Sequence, residues 1–385
     1  MSELSKAVEF IPNAVYYLSA RSSPKESSSV HYFSIDRELV FWNFYLDFGP
    51  LNMAQTYRFA EMLHRRIDDP RLKGKKICLY SGTHGNRRAN AVCLMACWGI
   101  MYRGMTPEEA FCPFENEEPF PPFHDATAGV CTFNLSILDC LRGLAKAIKI
   151  KYFNVLEFNV DEYEHYERVE NGDLTILSPK FIAFAGPKDK KVVTREGYYQ
   201  LTPEDYIPYM KKCNVTLVIR LNQKCYDEEK FRNAGIDHLS LIYPDGSNAP
   251  PEVLKRFITA CEKTPGTVAV HCKAGLGRTG TCIGSYMMKH NHFTAHEVIG
   301  WLRLCRPGSV IGPQQQYLEQ LEPIMWRAGQ DVSSLTPMLP KLSINSNSYV
   351  ESSDISMKTQ GDDLVTAKRK QQQQQQLFQL NARSS

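Results

Sequence analysis

The chain lacks a long apolar run, a strong charge of either sign and any paired spacing of cysteines, and each lack removes a class of protein. The longest apolar stretch, Ala91 to Tyr102, is too short to cross a bilayer. The N-terminus carries no basic head followed by unbroken apolar residues, because Pro12 and Asn13 interrupt it. No membrane role and no secretion are therefore expected. A net charge of +3 is too small to argue for nucleic acid, and no basic run dominates. The twelve cysteines are scattered, and those in apolar runs, such as Cys93 and Cys97, read as helix packing rather than a zinc site or disulfide framework. A soluble intracellular protein in a reducing compartment is the expectation.

What remains is an ordinary globular composition, 43% hydrophobic and 23% charged, in 385 residues, a natural length for two domains. Strand-like pieces at 14–18 and 30–33 precede a helix predicted from Gly49-Pro50 to about Asp68, with Tyr57, Met62, Leu63 and Ile67 inward. A strand at 76–80 leads into another apolar helix, and a helical pattern at 135–151 closes the first half. The second half alternates strands at 180–184, 215–219 and 239–243 with helices starting near Thr202 and Pro251. That alternation predicts an α/β fold, a mainly parallel sheet flanked by helices, with active groups at the strands' C-terminal ends.

The most informative stretch is Val268-Ala-Val-His271-Cys272-Lys273-Ala274-Gly275-Leu276-Gly277-Arg278-Thr279-Gly280. An apolar strand runs into a glycine-rich loop and then a helical pattern, with Cys272 and Arg278 six apart. In such a unit the backbone N–H groups of residues 273 to 278 can face one concavity above a helix N-terminus, which suits a dianion. Arg278 adds a planar fork matched to two phosphoryl oxygens. The same field favours a thiolate at Cys272, which becomes the expected nucleophile. The competing reading is a buried cysteine before a structural turn, but His271, the three glycines and Thr279 together favour chemistry. This loop resembles the signature of cysteine-dependent protein phosphatases.

The first half carries an echo of that loop. Ser81 and Arg87 are also six apart between a strand and a helix, and Thr106-Pro-Glu-Glu109 matches Thr294-Ala-His-Glu297 as a capping box. A duplicated phosphatase-like domain is the expectation, with chance similarity of the two loops as the alternative, and the first copy lacks a nucleophile, since a serine hydroxyl there has no base beside it. Residues 1–150 form this non-catalytic domain, 151–176 an acidic linker helix, 177–330 the catalytic domain, and 331–385 a disordered tail with six glutamines at 371–376. The linker's Glu164, Glu167 and Asp173 could be a solvated face; with tyrosines interleaved and a domain junction beside them, they are also candidates for a substrate groove.

A seryl or threonyl phosphoester has a poor leaving group, so attack by Cys272 needs a positioned acid. Asp245, in Pro244-Asp245-Gly246-Ser247 after a strand, is the candidate, and the same carboxylate would activate water in the second step. Thr279 could hydrogen-bond the sulfur, and His271 is expected to orient the loop. One of Gln314, Gln315 and Gln316 sits where related phosphatases keep a water-positioning glutamine, with Gln315 the chosen candidate. No metal and no cofactor are required.

Between about residues 8 and 327 the chain resembles the mitotic-exit dual-specificity phosphatases of the cell-division-cycle fourteen family. The likeness rests on Asp161-Glu-Tyr-Glu-His-Tyr-Glu-Arg-Val-Glu-Asn-Gly-Asp173, the loop itself, and Cys305-Arg-Pro-Gly-Ser-Val-Ile-Gly-Pro-Gln-Gln315. It implies two tandem phosphatase-like domains joined by a linker helix, the second catalytic, and phosphorylated proteins as partners. It further implies a preference for phosphoserine followed by proline, roles in mitosis and cytokinesis, and residence in nucleus and cytoplasm with the centrosome or spindle as further sites. A phosphoinositide phosphatase is the alternative enzyme, but Leu276 stands where such enzymes generally carry a second lysine. A silent phosphoprotein-binding module is the other alternative, against which Cys272, Arg278 and Asp245 stand together.

Overall fold

The computed structural model describes residues 4–25, 27–193, 197, 199–330 and 359–384. The first half contains β1 (Val8–Ile11), β2 (Val15–Ser19), β3 (Val30–Phe33), α1 (Met53–Ile67), β4 (Lys76–Ser81), α2 (Gly85–Arg103), α3 (Pro107–Phe111) and α4 (Ile137–Lys149). A short helix α5 (Val160–Glu167) follows. The second half comprises β5 (Leu174–Ser178), β6 (Phe181–Phe184), α6 (Pro203–Lys212), β7 (Val215–Arg220), α7 (Glu229–Arg232), β8 (Asp237–Ser240), α8 (Pro251–Lys263), β9 (Thr267–His271), α9 (Gly277–Asn291), α10 (Ala295–Cys305) and α11 (Pro313–Gln330). The last described element is α12 (Gln360–Ser384).

The two sheets repeat one plan. In the first, the order is β1-β2-β4-β3, with β1 antiparallel to β2 and β4 parallel to both β2 and β3. In the second, the order is β5-β6-β9-β7-β8, with β5 antiparallel to β6 and β9 parallel to both β6 and β7. Thus β4 and β9 hold equivalent central places, and each feeds a loop and then a long buried helix, α2 or α9. The central run Val268-Ala-Val-His271 is buried on both faces, as a parallel strand covered by helices on each side must be. The capping boxes at Thr106/Glu109 and Thr294/Glu297 both form, so the helix after each long helix starts by the same device.

One apolar core runs through both halves. Phe59, Leu94 and Leu144 of the first belong to the same buried cluster as Met287, Trp301 and Leu302 of the second. Helices α4 and α10 cross at Gly143 and Gly300. A Cβ at Gly143 would stand 2.3 Å from Glu297 O, and one at Gly300 would stand 2.8 Å from Cys140 Cα, so backbones meet there with no room for side chains. Helix α5 ties the junction. Tyr163 donates to Cys305 O at 2.5 Å, Tyr166 stacks on Tyr209, and Arg58 of α1 pairs with Glu164 at 3.1 Å.

The structure departs from the sequence pattern at several places. Ile67 is exposed, and Phe59 and Ala60 take the inner face of α1 instead, because the apolar stripe follows Met53, Thr56, Ala60 and Leu63. The 239–243 strand is shifted to Asp237–Ser240, in register with Leu217–Arg220. Residues 174–176, assigned to the linker, already belong to edge strand β5. The expected tail disorder fails for the described part, where α12 forms a 25-residue helix. Glutamine, lysine, arginine and leucine are good helix formers, and Leu364, Lys368 and Gln372, four apart, find a surface to bury against. Residues 331–358 lie outside the described residues.

Candidate active site

The loop between β9 and α9 is pinned through each of its carbonyls from 272 to 276. Cys272 O lies 2.9 Å from His271 Nδ1, and Lys273 O accepts from Gly186 N at 3.0 Å. Ala274 O and Gly275 O accept from Arg306 Nη2 and Nε at 3.0 and 2.9 Å, and Leu276 O from Gly280 N at 2.9 Å. In a trans peptide the N–H lies opposite the C=O, so turning the carbonyls outward turns the following amides into the concavity. Gly275 is required twice over: its φ is +69°, and a Cβ would stand 2.1 Å from Phe184 O.

Cys272, 3% exposed, stands at the start of this turn, and Arg278 is buried in the first turn of α9. Arg278 Nη1 donates to Tyr243 O at 3.0 Å, and Nη2 pairs with Asp245 Oδ1 at 2.9 Å. Its Nε is buried without a protein partner among the described residues, a costly state that a bound oxyanion would relieve. The Cys272 thiol, the Arg278 guanidinium and the Asp245 carboxyl are thus supplied by three segments: the end of β9, the start of α9 and the loop before α8. Thr279, expected to bond the sulfur, has its hydroxyl buried with no partner among the described residues.

His271 is fully buried, and burial pushes its pKa down to about 3; His238, also buried, is lowered to about 4. Both rings are thus neutral near pH 7, which fixes their tautomers. His271 Nδ1 faces a carbonyl and must carry the proton, so its Nε2 accepts from Tyr226 OH at 2.7 Å; His238 Nε2 then donates to Tyr226 at 2.8 Å. The chain His238 to Tyr226 to His271 to Cys272 O orients the loop and carries no charge.

Gln315 does not serve the loop: its side chain is spent on Arg303 Nη2 at 2.5 Å and Gly312 O at 3.2 Å. Gln314 is the one that abuts it. A Cβ on Gly277 would stand 2.7 Å from Gln314 Oε1, and Gln314 Nε2 donates to Ser247 O in the Asp245 loop. Gln316 reaches Thr132 instead.

Of the three acidic groove candidates, Glu164 is already paired with Arg58, whereas Glu167 and Asp173 face Lys368 of α12. Burial pushes the Glu167 pKa up, against the pull of Lys368. Asp173 is 5% exposed and also pairs with Arg306 at 2.8 Å. Arg306, 1% exposed, is the residue that sequence reasoning missed. It joins Asp173 and Thr175 to the loop carbonyls, although it stood in the run Cys305-Arg306-Pro307 that carried the resemblance. A cavity of about 190 Å³ lies beside this junction, bounded by Asp173, Gly186, Lys273 and Lys368.

The equivalent loop of the first half is closed by its own carboxylate. Asp36 Oδ2 accepts from Gly82 N at 2.8 Å and faces Arg87 Nη1 at 3.5 Å, the place an anion would take. Ser81 is fully buried against Tyr17 OH at 2.8 Å. Among the described residues, His124, Asp125 and Cys131 are the set whose potential metal-ligand atoms cluster, within 4.8 Å. Asp125 Oδ2 there already takes the Gly312 N–H at 2.6 Å, a bond between the two halves.

Comparison with known proteins accords with this geometry. Residues 9–147 match the family model of the dual specificity protein phosphatase N-terminal half, and residues 198–324 that of the dual specificity phosphatase catalytic domain. The chain is 48% identical to the human dual specificity protein phosphatase CDC14A over 330 residues, 85% of this chain and 55% of that protein. It is 38% identical to the Schizosaccharomyces pombe tyrosine-protein phosphatase CDC14 homolog over 374 residues, 92% of this chain and 70% of that one. The chain thus spans about half the length of the first curated relatives it matches, 55% in each case. Among solved structures, PTPMT1 is similar at 19% identity with a TM-score of 0.34, covering 41% of this chain and 99% of that one.

Proposed function

The chain belongs to the CDC14 family of dual-specificity protein phosphatases, and from that membership we propose that it hydrolyses phosphoserine, phosphothreonine and phosphotyrosine in proteins through a phosphorylated Cys272. The observation that carries the reading is the loop with its carbonyls pinned outward and the Cys272 thiol, the Arg278 fork and the Asp245 carboxyl gathered at it. A bound phosphoryl group takes the inward amides and the two prongs of Arg278, displacing the Asp245 carboxyl from the guanidinium. Cys272 Sγ attacks phosphorus, the P–O ester bond breaks, and Asp245 gives its proton to the departing oxygen. Asp245 then takes a proton from water, water attacks phosphorus, and the S–P bond breaks to return thiolate and inorganic phosphate.

The preference we propose is for proline-directed sites with a basic residue downstream. It is supported by Lys368, whose ammonium pairs with Asp173 and attracts the Glu167 carboxyl, and by an apolar surface beside the loop made by Phe44, Ala126, Leu276 and Ile311. Leu276 is fully buried in that surface, which speaks against a phosphoinositide headgroup meeting this position.

The test pairs two substrates with two variants. Asp245→Asn should slow a phosphoserine peptide by about 10²- to 10⁴-fold but an activated aryl phosphate far less, because only the poor leaving group needs the proton. Glu167→Gln should shrink the preference for Ser(P)-Pro-x-Lys over Ser(P)-Pro-x-Ala by roughly two- to fivefold, the worth of one partly screened charge pair. Equal slowing of both esters removes Asp245 as the acid, and an undiminished lysine preference removes Glu167 from the groove.

A further inference from the structure

The segment between α3 and α4 folds back on itself and carries three side chains of metal-binding type to the seam between the two halves. Phe123 N donates to Leu135 O at 2.8 Å, and His124 bridges Phe48, so the loop 124–134 is closed at its base. Its tip, Ala128 to Val130, is exposed, while a nitrogen of His124, a carboxylate oxygen of Asp125 and Cys131 Sγ lie within 4.8 Å of one another. Ligands bound to a tetrahedral ion at about 2.0–2.3 Å stand about 3.3–3.6 Å apart, so no pair here has to close by more than about 1.5 Å.

Proximity alone does not make a site, and the Asp125 carboxylate adds the second observation. Asp125 is 1% exposed; its Oδ2 accepts from Gly312 N at 2.6 Å, but its Oδ1 is buried with no hydrogen-bond partner among the described residues. A buried carboxylate oxygen in that state is costly and calls for a donor or a cation. Oδ1 faces into the cluster, 3.8 Å from His124 Nδ1. The neighbouring donors are turned elsewhere: His124 Nδ1 lies 2.6 Å from Asp125 O, and the Cys131 thiol donates to Phe133 O at 3.2 Å. Arg303 attracts Asp125 and Cys131 from a distance, its Nη2 being spent on Val310 O and Gln315.

One imidazole nitrogen, one carboxylate oxygen and one thiolate sulfur make a donor set that suits zinc and disfavours magnesium and calcium, which take oxygen. Asp125 and a deprotonated Cys131 together balance the two charges of the ion, so the filled site buries no net charge of its own.

We propose that His124, Asp125 and Cys131 bind a zinc ion, with water as the fourth ligand, and that the ion fixes the 124–134 loop against the start of α11. Binding forms Zn–N, Zn–O and Zn–S bonds and releases the Cys131 proton to solvent; nothing is oxidised or reduced. The effect reaches the catalytic loop through short links. Asp125 holds Gly312, Gln316 Nε2 donates to Thr132 Oγ1 at 3.0 Å, and Gln314, between those two, abuts Gly277. The ion positions α11 and takes no part in phosphoryl transfer, so the site does not depend on the phosphatase reading.

The experiment titrates cobalt(II) and then zinc into the full chain carrying Cys272→Ser, in which the proposed nucleophile cannot hold the metal, and repeats both with His124→Leu or Cys131→Ala added. One equivalent of cobalt should bind, with the near-ultraviolet charge-transfer band of a thiolate ligand and the visible bands of a tetrahedral ion. Zinc should displace it, and magnesium and calcium should not. Zinc at about a hundred times Kd should raise Tm by roughly 5 °C and slow amide exchange in residues 124–135 and 311–316. Either added substitution should weaken zinc binding at least about tenfold and abolish the Tm rise. His124 and Cys131 are both part-exposed, so neither change empties the core, and each variant is compared with itself in EDTA. Cobalt bound without the thiolate band, zinc affinity and Tm rise that survive both substitutions, or no bound equivalent at all would each overturn the proposal, the first two marking an adventitious ion only.

Discussion

Replacing Arg306 by methionine tests whether the loop's shape is imposed from beneath. Arg306 is 1% exposed and makes hydrogen bonds to Ala274 O, Gly275 O and Thr175 Oγ1 and an ion pair with Asp173. Methionine keeps much of the volume but leaves two buried carbonyls without donors, at about 1–3 kcal/mol each, and weakens the pairing of a buried carboxylate. Lys368 still faces Asp173, so the penalty should be near the lower end, about 4 kcal/mol in all. One kcal/mol moves Tm by about 2–4 °C in chains of 150–250 residues and by less in longer ones, so calorimetry should show a fall of roughly 5–10 °C. Release of the Ala274 and Gly275 carbonyls should also let the amides drift, and a displacement near 1 Å can cost about 10²-fold in kcat/KM. Adding Asp173→Asn should recover part of the stability, a coupling of about 1–3 kcal/mol, because it removes the charge left with one partner fewer. A Tm within about 1 °C of wild type together with kcat/KM within about twofold would refute the reasoning.

At the domain junction, His296 bridges Asp139 at 3.1 Å and Glu319 at 3.1 Å, and the bond to Asp139 raises its pKa from the usual value while burial opposes. A raised folded pKa means that the stabilisation is complete below the unfolded value near 6.5 and is lost as pH climbs through the folded one. His296→Gln should therefore lower Tm more at pH 6 than at pH 9, and an equal loss at both would contradict the bridge. Gly300→Ala should force α4 from α10, since its Cβ would stand 2.8 Å from Cys140 Cα, costing about 1–3 kcal/mol in calorimetry; an unchanged Tm would mean that the crossing yields freely. Ser81→Ala should cost about 0.5–1.5 kcal/mol through the lost Tyr17 bond and leave turnover unchanged, and a large fall in kcat would contradict a purely structural first loop.

How much of this was legible in the sequence follows the range of the interactions. The loop from His271 to Gly280 is contiguous, so its residue types and spacing alone place Cys272 and Arg278 on one turn. Capping boxes at Thr106 and Thr294 are equally local, and both were readable together with the tandem plan. Strand β5 was missed because its pairing with β6 is what makes Leu174–Ser178 extended, and the acidic run before it hid the boundary. Three neighbouring glutamines look alike in sequence, so the preference for Gln315 could not draw on what the fold sets opposite each: Gly277 and Ser247 for Gln314, Arg303 for Gln315. Arg306 and Tyr226 carried no local sign, as an arginine or tyrosine reads as surface until its buried partners are known. Composition pointed to disorder for α12, whose order comes from a groove formed by residues far away in the chain.

The central claim is that Cys272 carries the phosphoryl group. Asp245→Asn supplied with an activated aryl phosphate should form the intermediate, because that leaving group needs little proton help, and should clear it slowly, because the base for water is gone. Rapid quenching followed by mass spectrometry of proteolytic fragments should find a phosphoryl group on the fragment containing Cys272, absent from Cys272→Ser. Turnover that survives Cys272→Ser, or a phosphoryl group carried on any other residue, would contradict the account.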